Sequence, residues 1–568
     1  MPSFNLKVNK THTYDAIVIG SGISGGWAAK ELCEKGLQTL VLERGRMVRH
    51  VEDYPTMNND HWDFEHRGKL TDEDKKKYHI QVRSGFIDES NKHFYNNDLD
   101  SPYTEVKRFD WIRGNQVGGR SLMWGKQCYR WSDLDFEANA KQSIGVDWPI
   151  RYKDLENWYT YVEKYVGISG EKLGLSHLPD GHFLPPMELN CLEKHVKGSI
   201  EKTYKGRHLT IGRVAHLTEP INGRGQCQNR NRCSRGCPFG AYFSSNAVTL
   251  PAADATGKLT LRPNSQVASI IYDEKLGKAK GVKVIDSETK EEIEFYARII
   301  FLNASTLGTT QILLNSTSSR FPNGLGNDSG ELGHNLMDHH YRVGAMGSYD
   351  GFEDQYYKGR RPNGIFIPRY RNLDEASKMK DFIRGYDYQG AGGRGNWGGG
   401  ISGGGVGAEF KDSLFAPSNW GMSLVGFGEC LPYHENKVTL NHDAKDKWGL
   451  PTLSIDAEFK ANEMAMRKQM KEDAVEMLEN AGLKNVTPFD YSGGIGVGVH
   501  EMGTARMGRD PKTSVVNANS QLHAVPNVFV TDGACMTSSS CVNPSITYMA
   551  LTARAADFAV NELNRKNL

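Results

Sequence analysis

The chain has 568 residues and a formal net charge of +1; one hydrophobic core rarely serves that length, so two or more domains are expected. Its 38% hydrophobic and 24% charged residues suit a soluble globular protein, with no global attraction to nucleic acid or an anionic membrane. No apolar run approaches the ~18 residues of a membrane-spanning helix, and the opening MPSFNLKVNKTHTYDAIVIG lacks a secretory apolar core and a twin-arginine pair.

Residues 15–45, DAIVIGSGISGGWAAKELCEKGLQTLVLERG, predict a buried strand (Ala16 to Ile19), a glycine turn, a helix and a second strand (Thr39 to Leu42). Gly20, Gly22 and Gly25 form G-x-G-x-x-G between strand and helix, and Glu43 closes the second strand. The glycines permit a tight turn and close approach to a pyrophosphate. The helix N-terminus supplies unpaired N–H groups, and Glu43 can accept from ribose hydroxyls. A single unit of this kind at the start of a long chain favours FAD over NAD. A second glycine-rich stretch, VGGRSLMWG (117–125), carries Gly118, Gly119, Ser121 and Met123 and lets backbone approach a flat ligand.

CQNRNRCSRGCPFG follows, with Cys227, Cys233 and Cys237 spaced C-x5-C-x3-C-P. Nine cysteines, three of them clustered, read as site chemistry rather than a disulfide framework. Four readings stand: packing thiols, a disulfide with one thiol over, zinc on three thiolates and a distant ligand, and an iron–sulfur cluster. The cluster is preferred because C-x3-C-P repeats the last spacing of the ferredoxin run and three cysteines suit [3Fe–4S], one thiolate per iron. Arg230, Arg232 and Arg235 are expected to offset its negative charge.

Residues 255–300 are strand-rich, and the composition changes from about 341 to 480. The run QGAGGRGNWGGGISGGGVGAEF (389–410) is read as an active-site loop, since glycine permits mobility and close approach. An amphipathic helix is expected over 461–482, its methionines in the core. The chain closes with a strand (Val528 to Thr531), Asp532-Gly533, and a helix beginning around Pro544 with Asn543 at its N-cap.

In order along the chain, YDAIVIGSGISGG, VGGRSLMWG, IIFLNASTLGTTQILLNS, ELGHNLMDHH, HEMGTARMG and the closing strand–loop–helix resemble the glucose–methanol–choline (GMC) oxidoreductases, flavoenzymes that oxidise alcohols and sugars. The resemblance implies an α/β FAD-binding Rossmann-like domain, also similar to p-hydroxybenzoate hydroxylase. It implies a second, α+β substrate-binding domain on an antiparallel sheet. The expected division is 1–135, 225–340 and 485–568 for FAD, and 136–224 and 341–484 for the cap. His500 and Asn543 match the family's catalytic pair: neutral His500 would take the hydroxyl proton as carbon delivers hydride to flavin N5, and Asn543 would orient the oxygen. Val267 is expected against the adenine, and Asp532 and Gly533 against the cofactor. His339 and His340 are read as pocket wall or packing. Met123 stands where some members carry a histidine bonded covalently to FAD, so non-covalent FAD is expected.

The C-x5-C-x3-C-P-x-G-A pattern resembles FAD-dependent glucose dehydrogenase catalytic subunits, which carry a [3Fe–4S] cluster. By that resemblance the partners are a small twin-arginine-exported subunit and a multihaem cytochrome c, and the location is the periplasm, with the cytoplasm as alternative. The expected substrate is a sugar or glycoside, first the C3 hydroxyl of a glucoside. An FAD glucose 1-dehydrogenase, an oxygen-using pyranose oxidase and a zinc-stabilised flavoprotein binding subunit stand as alternatives.

Overall fold

The computed structural model describes residues 4–355, 363–394, 406–413, 418–491 and 493–568. Its first layer is a seven-stranded sheet. Strand β1 (Thr13–Ile19) runs parallel to β2 (Thr39–Leu42) on one side and to the long strand Glu292–Leu302 on the other. All of β2 and most of β1 is buried, as parallel strands covered on both faces must be. Leu259–Arg262 extends the sheet beyond β2. Lys278–Asp286 and Ser265–Asp273 turn it antiparallel beyond Glu292–Leu302. The last three residues of that long strand also hold Val528–Val530 in parallel, with Val528 opposite Ile300 and Val530 opposite Leu302.

Helix α1 (Ile23–Glu34) lies against the C-terminal helix Ser545–Asn564. Ala28 and Ala29 on the first share a buried cluster with Ala555, Ala556 and Ala559 on the second, and such small side chains let two helices approach closely.

The second layer is a six-stranded antiparallel sheet in the order Lys484–Asp490, His340–Tyr349, Trp420–Gly428, Tyr386–Arg394, Ile365–Ile367, Thr210–Ile211. Helix Ala461–Asn480 backs it with Met466, Met470, Met477 and Leu478 fully buried, each such side chain adding about 1.5–3 kcal/mol of burial. The predicted methionine helix is this one. The glycine-rich run divides: Gln389 to Arg394 belong to strand Tyr386–Arg394, and 395–405 lie outside the described residues. A small sheet of Lys437–Lys445, Pro451–Asp456 and Thr104–Glu105 places Val438, Leu453 and Ile455 in the core that also holds Ile17 and Leu42. No described helix is long and apolar enough to cross a membrane.

Candidate active site

A cavity of about 560 Å³ lies between the two layers, lined from Ile19 at one end of the chain to Tyr548 at the other. Its dinucleotide end is built by the turn from β1 into α1. Gly20 sits at φ +97°, and a Cβ there would stand 2.3 Å from the Asn303 carbonyl. A Cβ on Gly25 would stand 2.0 Å from the Gly20 carbonyl, whereas one on Gly22 would meet nothing within 4 Å. Gly20 and Gly25 therefore close the turn, and Gly22 leaves room at the head of α1 for a ligand.

Ser21 ties the turn together. Its hydroxyl donates to Glu43 Oε2 at 2.6 Å and accepts the Gly118 N–H at 2.9 Å. Glu43 accepts further from Ser21 and Gly45 N–H groups, and burial raises its pKa. Gly118, at φ +92°, has Asn246 where a Cβ would be; Gly119 faces Gly22. The Ser121 hydroxyl donates to the Gly118 carbonyl and accepts from Ser245 N–H. Glu43, Gly119, Ser121, Met123, Val267, Asp532 and Gly533 all line the cavity. Asp532, held by the Thr309 hydroxyl at 2.5 Å and the Ala534 N–H, is pushed up to about 6 by burial.

The cavity wall fits FAD by what it leaves unpaired. Gln266 Oε1, Asn303 Oδ1 and Tyr548 Oη line it, are buried, and have no protein partner. An unmet buried polar group costs about 1–3 kcal/mol, so this wall calls for a polar, extended ligand.

At the other end His500 and Asn543 come together, with Asn543 Nδ2 3.5 Å from His500 Nε2. Pro544, at φ −87°, is the N-cap of the C-terminal helix Ser545–Asn564, so Asn543 stands one position before the cap and not at it, where the sequence predicts it. Asp338 holds the histidine loop, accepting N–H bonds from Gly496, Gly498 and His500 at 2.8–2.9 Å. Arg120 clamps it from the glycine-rich side through both oxygens of Glu501. Val499, a β-branched residue, is forced to φ +59° immediately before His500, a strained conformation of the kind found where a neighbour must be aimed.

His339 is the residue the sequence reading undervalued. It is buried and does not form the cavity wall; its Nε2 faces the Ser540 carbonyl at 2.8 Å and its Nδ1 faces His500 Nδ1 at 2.7 Å. A carbonyl only accepts, so His339 carries its proton on Nε2 and its Nδ1 is a bare acceptor. Burial pushes its pKa down to about 4, keeping it neutral. His500 must therefore donate Nδ1–H to His339, which leaves His500 Nε2 as a free lone pair beside the cavity. Burial, with His339 and Arg120 nearby, holds His500 well below the ordinary histidine range. His340 is buried with both ring nitrogens unpartnered, packed on Phe459, as expected of a packing residue. Gln389, hidden in the glycine run, donates Nε2–H to Asn543 Oδ1 at 2.7 Å. This turns the Asn543 amide so that Nδ2–H faces His500 and the cavity.

The three clustered cysteines occupy one loop, and none of the nine cysteines stands in a disulfide, which speaks against the disulfide reading. Cys227 N–H bonds the Leu217 carbonyl, and Cys233 Sγ lies 3.7 Å from His216 Nε2. Ser234, between Cys233 and Cys237, lines the cavity itself. Among the described residues no three His, Cys, Asp or Glu side chains converge on one metal ion. The three arginines reach toward a neighbouring loop. Arg230 bonds Met57 O and Asn58, Arg232 bonds Asn58 O and Asp60, and Arg235 bonds Asn59 O. These bonds tie a neighbouring loop to the cysteine segment.

The GMC oxidoreductase N-terminal model matches residues 14–341 and the C-terminal model residues 432–552. The chain is 29% identical to 2-methyl-1,2-propanediol dehydrogenase of Mycolicibacterium austroafricanum, covering 96% of this chain and 94% of that protein. It is 25% identical to the fructose dehydrogenase large subunit of Gluconobacter japonicus, covering 98% and 99%. Pyridoxine 4-oxidase from Mesorbium loti shares the fold, with a TM-score of 0.58 at 16% identity over 96% and 98% of the two chains. The cradle, the cavity and these matches agree: the chain belongs to the GMC oxidoreductase family, FAD enzymes acting on alcohol and sugar hydroxyl groups.

Proposed function

We propose that the enzyme is a dehydrogenase for a sugar or glycoside hydroxyl, first the C3 hydroxyl of a glucoside. The observation that carries this is the free Nε2 of His500 at the cavity, fixed there by His339. FAD, when bound, supplies the hydride acceptor. His500 Nε2 takes the hydroxyl proton, and its Nδ1–H, now part of an imidazolium, keeps its acceptor on His339. Asn543 Nδ2–H steadies the oxygen, in an amide orientation set by Gln389. Around them Gln127 and Asn363, bonded to each other at 2.7 Å, line the cavity with Tyr341 and Phe427, whose rings stack at 4.4 Å. Neutral amides beside aromatic faces suit a polyol with one apolar face.

Cys227, Cys233 and Cys237 would hold a [3Fe–4S] cluster, which supplies one-electron transfer toward a cytochrome-type acceptor. Support comes from the spacing of the three cysteines, their loop against the cavity, and the kinship with a fructose dehydrogenase large subunit. A twin-arginine-exported partner and a periplasmic location complete the proposal. Anaerobic mixing with glucosides, fructose and gluconate, and a separate aerobic turnover assay with a one-electron dye, test it: flavin bleaching with at least one sugar in the first, and dye reduction far faster than oxygen consumption in the second, are expected. Oxygen consumed as fast as dye is reduced would favour the oxidase and defeat the relay.

A further inference from the structure

The pairing of strands His340–Tyr349 and Trp420–Gly428 is irregular immediately after His339. Between the pairs Gly426–Val343 and Gly428–His340, the second strand has one residue, Phe427, and the first has two, Tyr341 and Arg342. Arg342 takes up the extra residue at φ +60°, a conformation that arginine rarely adopts. In a regular strand Tyr341 and Arg342 would point to opposite faces, but here both reach Phe86. The Tyr341 ring lies nearly parallel to the Phe86 ring, centroids 6.4 Å apart, and the Arg342 guanidinium lies 4.6 Å from the Phe86 centroid. The bulge is held in place: the Tyr341 carbonyl accepts from the buried Arg467, and the Arg342 carbonyl from the Tyr491 N–H. Phe86 is held too, its carbonyl accepting from the Asn91 amide and the Tyr95 hydroxyl, just after Gly85 ends helix His79–Ser84 at φ +65°.

An aromatic strip results. It starts at His339, whose ring meets Phe427 edge-on at 6.5 Å, and runs through Tyr341, 4.4 Å from Phe427, to Phe86, where Arg342 stands. Phe86, Tyr341 and Phe427 line the cavity, and the Arg342 guanidinium has no carboxylate partner among the described residues. We propose that this strip is a second subsite, which takes a flat aromatic aglycone while His500 addresses the sugar, so that the preferred substrates are aryl glycosides. The inference rests on the glycoside reading above. A second sugar ring would want carboxylates or amides for its hydroxyls, and none of these four side chains carries one. An aromatic ring gains here from stacking on the aromatic faces and from the planar guanidinium, and it buries apolar area against both.

The test compares methyl β-glucoside, phenyl β-glucoside and cellobiose on the FAD-loaded wild type, Phe86→Leu and Arg342→Gly, the last chosen because glycine adopts a positive φ without strain. Half-saturation is read from anaerobic flavin reduction, and from anaerobic titration calorimetry for any sugar that leaves the flavin oxidised. In the wild type, phenyl glucoside should half-saturate at about one tenth of the methyl glucoside concentration or less, with cellobiose no better than methyl glucoside. Each variant should shrink that aryl preference by about threefold or more. Equal half-saturation by the phenyl and methyl glucosides, cellobiose matching phenyl glucoside, or a preference untouched in both variants would overturn this inference; flavin reduction by any of the three would then leave the glycoside reading standing. An aryl preference in binding without flavin reduction would sink the glycoside reading and keep the subsite, and neither binding nor reduction would overturn both. If Phe86→Leu did not fold, Arg342→Gly alone would decide, an untouched preference again overturning the inference.

Discussion

Replacing His339 with Phe keeps a ring of similar volume at a fully buried position and removes the acceptor for His500 Nδ1–H together with the Nε2–H donor to the Ser540 carbonyl. In the resting enzyme that bond joins two neutral groups and is worth about 0.5–1.5 kcal/mol; once His500 has taken the proton the donor is charged and it is worth about 1.5–3 kcal/mol. The difference, about 1–1.5 kcal/mol, is lost only in the transition state. Without the acceptor the His500 proton is also free to settle on Nε2, the nitrogen that must be bare, which adds about 1–1.5 kcal/mol. Together these slow flavin reduction by roughly 30- to 150-fold at about 1.4 kcal/mol per tenfold. Anaerobic stopped-flow bleaching of the flavin at saturating sugar measures the step directly. Flavin content should stay at one per chain, and His339→Gln, whose amide oxygen can accept, should recover part of the rate. A His339→Phe enzyme that reduces its flavin within about threefold of wild type would refute the tautomer argument.

Because burial lowers the His500 pKa well below the ordinary 6.5, the base is neutral across physiological pH; the flavin-reduction rate should be flat above about pH 6 and fall only in acid. An inflection near 7 would contradict that. Gln389→Glu presents only acceptors to Asn543, so the amide turns its Nδ2–H toward the introduced carboxylate and faces His500 with its oxygen. The kcat should then drop about tenfold or more with little change in bound FAD, and an unchanged kcat would count against the Gln389 role. Gly25→Ala places a methyl 2.0 Å from the Gly20 carbonyl and should yield protein largely free of FAD by absorbance at 450 nm relative to 280 nm. Folding stability carries its own pH signature through His339: with its folded pKa near 4 and an unfolded value near 6.5, its contribution is complete above 6.5 and is lost as pH falls toward 4. Melting temperatures that rise on acidification through that window would contradict it.

The parts of the molecule that sequence exposes are those governed by neighbours along the chain. The β1–α1 turn and β2 follow from local alternation of glycine and apolar residues, so their placement was readable to the residue. Roles that depend on side chains meeting across the fold were not. His339 and His500 are 161 positions apart, and nothing in MDHHY says which histidine turns inward. Gln389 was masked by the glycines after it, which drew the reading toward a loop where the backbone forms a strand. The arginines beside the cysteines were credited for being close in sequence, yet their side chains point to residues 57–60. His216, outside the cysteine segment, points at it instead.

The strand Val528–Val530 and the helix after it also determine when the enzyme can come into being. The ribosome makes the glycine turn first and the wall carrying Asn543 and Tyr548 last. Throughout the intervening synthesis the carboxyl end of strand Glu292–Leu302 lacks its partner at Ile300 to Leu302, and the alanine face of α1 lacks its cover. The nascent chain thus presents an unpaired strand edge and bare apolar surface, the features that invite aggregation. The cavity wall is consequently complete only once the helix Ser545–Asn564 has docked on α1.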